Sequence, residues 1–281
     1  MRGREGRARA SRIYAAGTAR RSGRKRTTMI PSIAVVNCSG NVGKTMVTRE
    51  LLAPRLPGLR VMQVESINAD EAAVAVSGRA TSRPETLIAA QFDTLHEALM
   101  LGEALIVDIG ASNVEEYLKR LDESAGAHED YGFFVVPVVP ARKQLHDTFK
   151  TIELLADLGV EPDRIRVVFN QVEALRNESD EAAIARAFGP LIDIYRVNRS
   201  FRLDMAAAIP KSDAFPIAAE LGTTVHAINQ DDTDYKTGLA ALTDRAEAVR
   251  RTRLIGLKRK SLSLAPRLDA AFAAIARGSV A

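Results

Sequence analysis

Tryptophan is absent from this chain, cysteine occurs once, and aromatic residues make up only 5% of its 281 positions. A single thiol, Cys38, excludes an intramolecular disulfide framework and suits a reducing bacterial cytoplasm, which is the expected location. No run of eighteen apolar residues occurs, so no membrane-spanning helix is expected. The four histidines, His96, His128, His146 and His226, lack the spacing of a ligand set, and Cys38 has no neighbouring Cys or His. With so few aromatics, the apolar share of 46% falls to Ala, Val, Leu and Ile, the composition of a parallel sheet covered by helices. A chain of this length can bury one large α/β core with appendages.

An even balance of charge is also missing. Ten of the 39 basic residues and one of the 35 acidic residues lie within positions 1–28. Positions 29–281 therefore carry 29 basic residues against 34 acidic ones, so the high isoelectric point says nothing about nucleic-acid binding by the folded body. The 1–28 stretch has no apolar h-region and so is not a secretory signal. It resembles a transit peptide in composition, or an electrostatic arm, but Met29 stands directly before the first strand. Residues 1–28 are accordingly expected to be a disordered basic leader upstream of the working start. Residues 29–230 then form the main domain and 231–281 a C-terminal helical segment.

What is present is an alternation of apolar strands and helices. Ile33-Ala34-Val35-Val36 predicts a buried strand, and a helix follows from about Gly43 to Leu52, stopped by Pro54 and Pro57. Leu59 to Glu65 predicts a second strand, residues 66–84 a polar loop, and 85–101 a helix with Leu87, Ile88, Phe92, Leu95 and Leu99 on one face. Leu105–Asp108, Phe133–Val136 and Arg164–Phe169 predict strands, with helices at 114–121, 145–158 and 178–188 and a short strand near Ile192–Tyr195. Such alternation implies right-handed βαβ units in a doubly wound, mostly parallel sheet with helices on both faces. Residues 235–278 are expected to be largely helical, interrupted at Pro266 and carrying a basic cluster from Arg250 to Lys260. That cluster is either the solvated face of a packed helix or a surface for a polyanion or protein partner.

Every polar motif falls at the carboxyl end of a strand, where ligands sit in such sheets. Between the first strand and its helix lies Ser39-Gly40-Asn41-Val42-Gly43-Lys44-Thr45. Gly40 and Gly43 permit positive φ and close approach, so successive backbone N–H groups can converge on one anion at a helix N-terminus. Lys44 would reach the β- and γ-phosphates, and the Thr45 hydroxyl would ligate Mg²⁺. The pattern departs from G-x-x-x-x-G-K-[ST] because Cys38 occupies the first glycine position. Proximity to Lys44 and a helix N-terminus would lower the pKa of that thiol.

Asp108 ends an apolar strand, where a carboxylate can hold a Mg²⁺-bound water or act as an ordinary cap. Gly110 two residues later could offer a backbone N–H to the γ-phosphate, and Ser112 or Asn113 a side-chain hydrogen bond. Glu65 ends the second strand beside Ser66, Asn68 and Asp70, placed to orient an attacking water or to sit in solvent as a loop acid. Asn170 ends the fifth strand, where its amide could pair with adenine or simply make a turn. The run Asn170-Gln171-Val172-Glu173 departs from N-K-x-D, so ATP is favoured over GTP.

At these residues the chain resembles the ParA/MinD group of P-loop ATPases, and more narrowly the StbB/TraL-type plasmid stability and conjugation proteins. The narrower resemblance rests on residues 37–45, 64–70 and 107–115, continues through 135–140 and 167–170, and covers about residues 30–200. It implies ATP and Mg²⁺ binding, a nucleotide-dependent homodimer, slow hydrolysis, and a role in retaining or transferring plasmid DNA with partner proteins. The DNA would be reached indirectly or through Arg250–Lys260. In that group a lysine at the position of Ser39 reaches the partner subunit's nucleotide. A hydroxyl supplies no fixed charge there. An ATP-binding module without hydrolysis, or a P-loop ligase or kinase acting on a small metabolite, are the competing expectations.

Overall fold

In the computed structural model of the protein, residues 31–65, 85–88 and 92–278 are described. The expected leader, the residues around Met29 and the polar loop 66–84 lie outside them. Seven strands form one sheet in the order β3-β2-β4-β1-β5-β6-β7, and every pairing among them is parallel. They are β1 (Ser32–Val35), β2 (Arg60–Glu65), β3 (Glu85–Ile88), β4 (Leu105–Ile109), β5 (Tyr131–Val138), β6 (Ile165–Val172) and β7 (Ala208–Pro210). Parallel pairing forces each connection to cross a face of the sheet, and those crossings carry the helices.

Because side chains alternate along a strand, the two faces are separate cores. Ala34, Val36, Val64, Val107, Val136 and Phe169 point to one face, covered by α2 (Phe92–Met100), α3 (Val114–Glu123), α4 (Arg142–Asp157), α5 (Asp180–Ala187) and α6 (Gly189–Asn198). Ile33, Val35, Ile106, Val135 and Val168 point to the other. That face is covered by α1 (residues 44–52) and by α7 (Ala214–Glu220), α8 (Val225–Gln230) and α9 (Arg245–Ala276). No described helix is long and apolar enough to cross a membrane.

Three expectations are corrected. Glu85–Ile88 is not the first turn of a helix but an edge strand paired with β2, from Met62↔Glu85 to Glu65↔Ile88. The helix described after it, Phe92–Met100, keeps Phe92, Leu95 and Leu99 on its buried side. Ile192–Tyr195 is not a strand. It lies inside α6, where Pro190 starts the helix with a preset φ and Leu191, Ile192 and Tyr195 follow helical spacing into the core. The edge strand in that part of the sheet is instead β7, too short to announce itself.

Pro266, finally, does not interrupt the last helix. Arg245–Ala276 is continuous, started by Asp244 accepting from the Ala246 N–H at 2.9 Å. Pro266 lies on the exposed side, one turn after the solvent-facing Leu262, so the carbonyl it leaves unbonded faces water. On the other side Leu254, Leu257, Leu264, Leu268, Ala271 and Ile275 are buried against the sheet.

Most of the basic cluster on α9 is engaged within the chain. Arg250 and Arg251 pair with Glu247, Arg253 with Glu220 and Lys260 with Asp213, while Lys258 donates to the Asp231 carbonyl. Such exposed pairs are individually weak, and with Arg250 and Arg251 sharing Glu247 and Lys258 held by a neutral carbonyl they offset the cluster's positive charge only in part.

Candidate functional site

The centre of the sheet is where the chain changes direction. From β1 it moves out through β2 and β3, returns as β4 beside β1, then crosses to β5 on the opposite side. A crevice at the carboxyl ends of the strands is expected at such a reversal. The loop leaving β1 lies there, and α1 begins at Lys44 with no side chain capping its N-terminus.

The left-handed residues of this loop are Asn41 (φ 60°) and Gly43 (φ 86°), not Gly40. Asparagine tolerates that region, so the turn needs glycine only at the second place. Gly43 is doubly required, since a Cβ there would sit 2.3 Å from Nδ2 of Asn170. Among the described residues nothing lies within 4 Å of a would-be Cβ at Gly40, so this stretch of backbone is open to close approach. Alternating αL residues beside an uncapped helix start make a concave set of N–H groups suited to an anion.

Lys44 is buried, and its ammonium donates to the carbonyls of Asn37 (2.8 Å) and Ser39 (2.9 Å). Burial pulls its pKa down from 10.5 to about 8, against the opposing field of the Asp108 carboxylate. The loop is fixed from below as well. The Asn37 amide donates to the Pro137 carbonyl and to Thr148 Oγ1, each at 2.9 Å, while its oxygen accepts the Ser39 N–H at 2.8 Å. The Cys38 N–H goes to Thr151 Oγ1 at 2.9 Å.

Period-two alternation sends Asp108 to the same face as Ile106, the face that α1 covers. Its carboxylate is 3% exposed and hydrogen-bonded by the Thr45 side chain. Gln63, its register neighbour on β2, places Nε2 3.5 Å from Oδ2. Burial raises the Asp108 pKa; Thr45, Gln63 and Lys44 oppose the rise, and the charge of Glu65 adds to it. Glu65 thus belongs to the same end of the sheet, half-buried two residues beyond Gln63. Lys44, Thr45, Asp108 and Glu65 are brought together as the sequence suggests. An exposed hydroxyl bonded to a buried carboxylate is an all-oxygen donor set, which fits a hard divalent cation such as Mg²⁺.

Other expected contacts have different employment. The Asn170 amide donates to the Val42 carbonyl at 2.8 Å, bracing the loop, and its oxygen accepts the Gln171 N–H of its own strand at 2.9 Å, so both ends are occupied within the chain rather than pointed outward to a base. The Gly110 N–H is spent on the Val64 carbonyl at 2.8 Å, because β4 is still pairing with β2 there. Asn113 is buried and reaches the same carbonyl at 3.4 Å, while Ser112 is exposed. Ser39 is 3% exposed and turned into the loop. The Cys38 thiol is corrected most plainly. Burial raises its pKa, outweighing the hydrogen bond from Thr151 and the fields of Lys150 and Lys44.

Gln63, Thr148 and Thr151 fall outside every motif the sequence offers. Gln63 was findable: counting back two from Glu65 along a strand returns to the same face. Thr148 and Thr151 were not, because only the packing of α4 under β1 turns helix-interior threonines toward a loop more than a hundred residues away.

No protein-family model matches the chain, and no curated protein matches it. Among solved structures it is similar to apo McdA from Cyanothece, at 11% identity and a TM-score of 0.46 over 81% of this chain and 98% of that one. It is likewise similar to the MinC:MinD cell division complex of Aquifex aeolicus (15% identity, TM-score 0.47, 80% and 96% covered). A plasmid partition protein from Borrelia burgdorferi bound to AMPPNP gives 11% identity, a TM-score of 0.42, and coverage of 82% and 99%.

Proposed function

We propose that this protein is an ATP- and Mg²⁺-dependent switch of the ParA/MinD kind, acting in the bacterial cytoplasm in plasmid stability, partition or conjugative transfer. The observation that carries this is the convergence of Lys44, Thr45 and Asp108 beneath an uncapped helix N-terminus at the sheet's central reversal. The backbone from Ser39 to Gly43 would wrap the β-phosphate, and protonated Lys44 would carry positive charge to the β- and γ-phosphates. Thr45 would hold Mg²⁺ directly and Asp108 would hold it through water. When bound, the cation neutralises charge developing on the transferred phosphoryl group. Glu65 would orient the attacking water. Nucleotide occupancy would then set homodimerisation and contact with a plasmid stability or conjugation partner. With Arg250, Arg251, Arg253 and Lys260 ion-paired within the chain, DNA would be reached through that partner or through the charge that remains on Arg250–Lys260.

One observation favours a second reading, an ATP-binding module that hydrolyses little. Ser39 is neutral and buried where the ParA/MinD group places an outward lysine. A titration with ATP, ADP and GTP, followed by single-turnover assay, separates the two. Micromolar ATP binding that requires Mg²⁺ supports both; phosphate release that Asp108→Ala abolishes while binding persists supports the switch with turnover. Absence of ATP binding by the folded protein overturns both.

A further inference from the structure

Beyond its first turn, Lys44–Met46, α1 does not continue with ordinary spacing. Residues Val47–Leu52 are wound wider, so that the Ala53 N–H bonds the Thr48 carbonyl five residues back. Thr48 is 3% exposed, and its Oγ1 finds no hydrogen-bond partner among the described residues. Wide turns of this sort occur disproportionately where helices serve function.

The same stretch holds a fully buried acid. Glu50 Oε1 accepts from Arg49 Nη2 at 2.8 Å and Nε at 3.1 Å, and Oε2 accepts the Val225 N–H at 2.8 Å, at the start of α8. Arg49 Nη2 also reaches the Phe215 carbonyl on α7 at 3.2 Å. One turn on, Arg55 Nη1 donates to the carbonyls of Glu50 (2.9 Å) and Leu51 (3.1 Å), satisfying helix-end acceptors that would otherwise lack partners. Its other nitrogens bind Asp269 Oδ1 on α9 at 2.9 and 2.7 Å. The far end of the phosphate-loop helix is therefore tied by side chains to α7, α8 and α9, while its near end forms the anion-binding turn.

We propose that residues 47–55 are a nucleotide-sensing linkage: occupancy at Gly40–Thr45 resets the winding of this stretch and so changes how firmly Glu50 and Arg55 hold α8 and α9. The proposal rests on the nucleotide binding argued above. Rewinding to four-residue spacing carries Glu50 and Arg55 off their present partners. Glu50, held against its buried carboxylate's cost by Arg49 and Val225, cannot lose them without a response in its neighbours. The coupling is reciprocal, so loosening α9 must alter nucleotide affinity by the same factor.

Hydrogen exchange on the full chain, with and without saturating Mg-ATP, tests it. Slowed exchange at residues 40–48 reports binding. The expected result is a change of about fivefold or more, the low end of usual coupling, at 225–230 and 265–272. Asp269→Asn, at an acid whose side chain is 67% exposed, leaves folding intact, shrinks the α9 response and shifts ATP affinity. Glu50→Gln shrinks the α8 response. Protection at 40–48 with no change at 225–230 and 265–272 overturns the linkage, as does an Asp269→Asn variant with unaltered response and affinity. No protection at 40–48 instead overturns nucleotide binding itself, and the linkage with it.

Discussion

The two faces of the sheet are built by different parts of the chain, and the functional residues lie almost wholly on one of them. The face covered by α2 to α6 is assembled from crossovers that join strands adjacent in the sheet or one strand apart, so each helix packs near the strands it connects. The face covered by α1 joins one helix from the start of the fold to three from its end, and β1 and α9 stand some 200 positions apart in sequence. Asp108, Gln63 and Asn170 all point to this second face, Asp108 meeting Thr45 and Gln63 while Asn170 holds the Val42 carbonyl of the loop. The first face supplies support from below, through Thr148 and Thr151. One side is scaffold; the other joins a binding turn to a C-terminal helix.

The sharpest way to break this comparison is to cut each core once. Leu155 on the first face and Leu268 on the second are both fully buried. Leu155→Ala and Leu268→Ala should each destabilise the fold by about 2–5 kcal/mol, read from denaturant midpoints. A loss near zero at Leu268 would mean that α9 only rests on the domain, and the two faces would not be equal cores.

Next in size is the loop itself. Lys44→Ala removes a charged phosphate contact, each usually contributing about 1.5–3 kcal/mol, so ATP affinity should fall at least about tenfold while the protein stays folded. Unchanged affinity in a calorimetric titration would remove the second face's claim to the ligand. The pH dependence sharpens the point. With its folded pKa near 8 against 10.5 when unfolded, Lys44 is about half-deprotonated at pH 8 in the ligand-free protein and largely neutral by pH 9.5. Phosphates favour the charged form, so binding takes up a proton there, and ATP affinity should drop by about tenfold between pH 8 and 9.5. The stability contribution has the opposite sign. Below pH 8 the buried charge costs the fold, and that cost is relieved as pH rises from 8 toward 10.5.

The smallest expected effect is at Asn170. If it braces Val42 rather than reading a base, Asn170→Ala costs about 1 kcal/mol of loop order and weakens ATP and GTP by the same few-fold. A selective loss of ATP would show that its amide turns outward in the bound state.

Much of this site was legible because it is local. A strand, a turn with Gly43 and a helix start lie within fifteen residues, and backbone geometry at that range follows from the residues themselves. Lys44, Thr45, Asp108 and Glu65 were reachable by the same logic, since a polar residue ending an apolar strand has only the carboxyl edge to occupy. Gln171 and Asn41 in left-handed backbone, Asn170 turned to Val42, and the raised pKa of Cys38 were not reachable. Each depends on which neighbour arrives from across the sheet.

By itself, then, the sequence determined an alternating α/β chain, a phosphate-type turn after the first strand, and acids at two strand ends. Hydrophobic periodicity and the freedom of glycine are properties of a few consecutive residues. Tertiary structure alone decided that Glu85–Ile88 adds an edge strand, that Ile192–Tyr195 is helical, and that Pro266 lies harmlessly on an exposed face. It also decided that Arg250, Arg251, Arg253 and Lys260 of α9 pair with Glu247, Glu220 and Asp213, and that Arg55 ties the phosphate-loop helix to Asp269. The physical reason is common to all of them. Edge pairing, burial and ion pairing are energies between distant segments, and no window of neighbouring residues contains both partners.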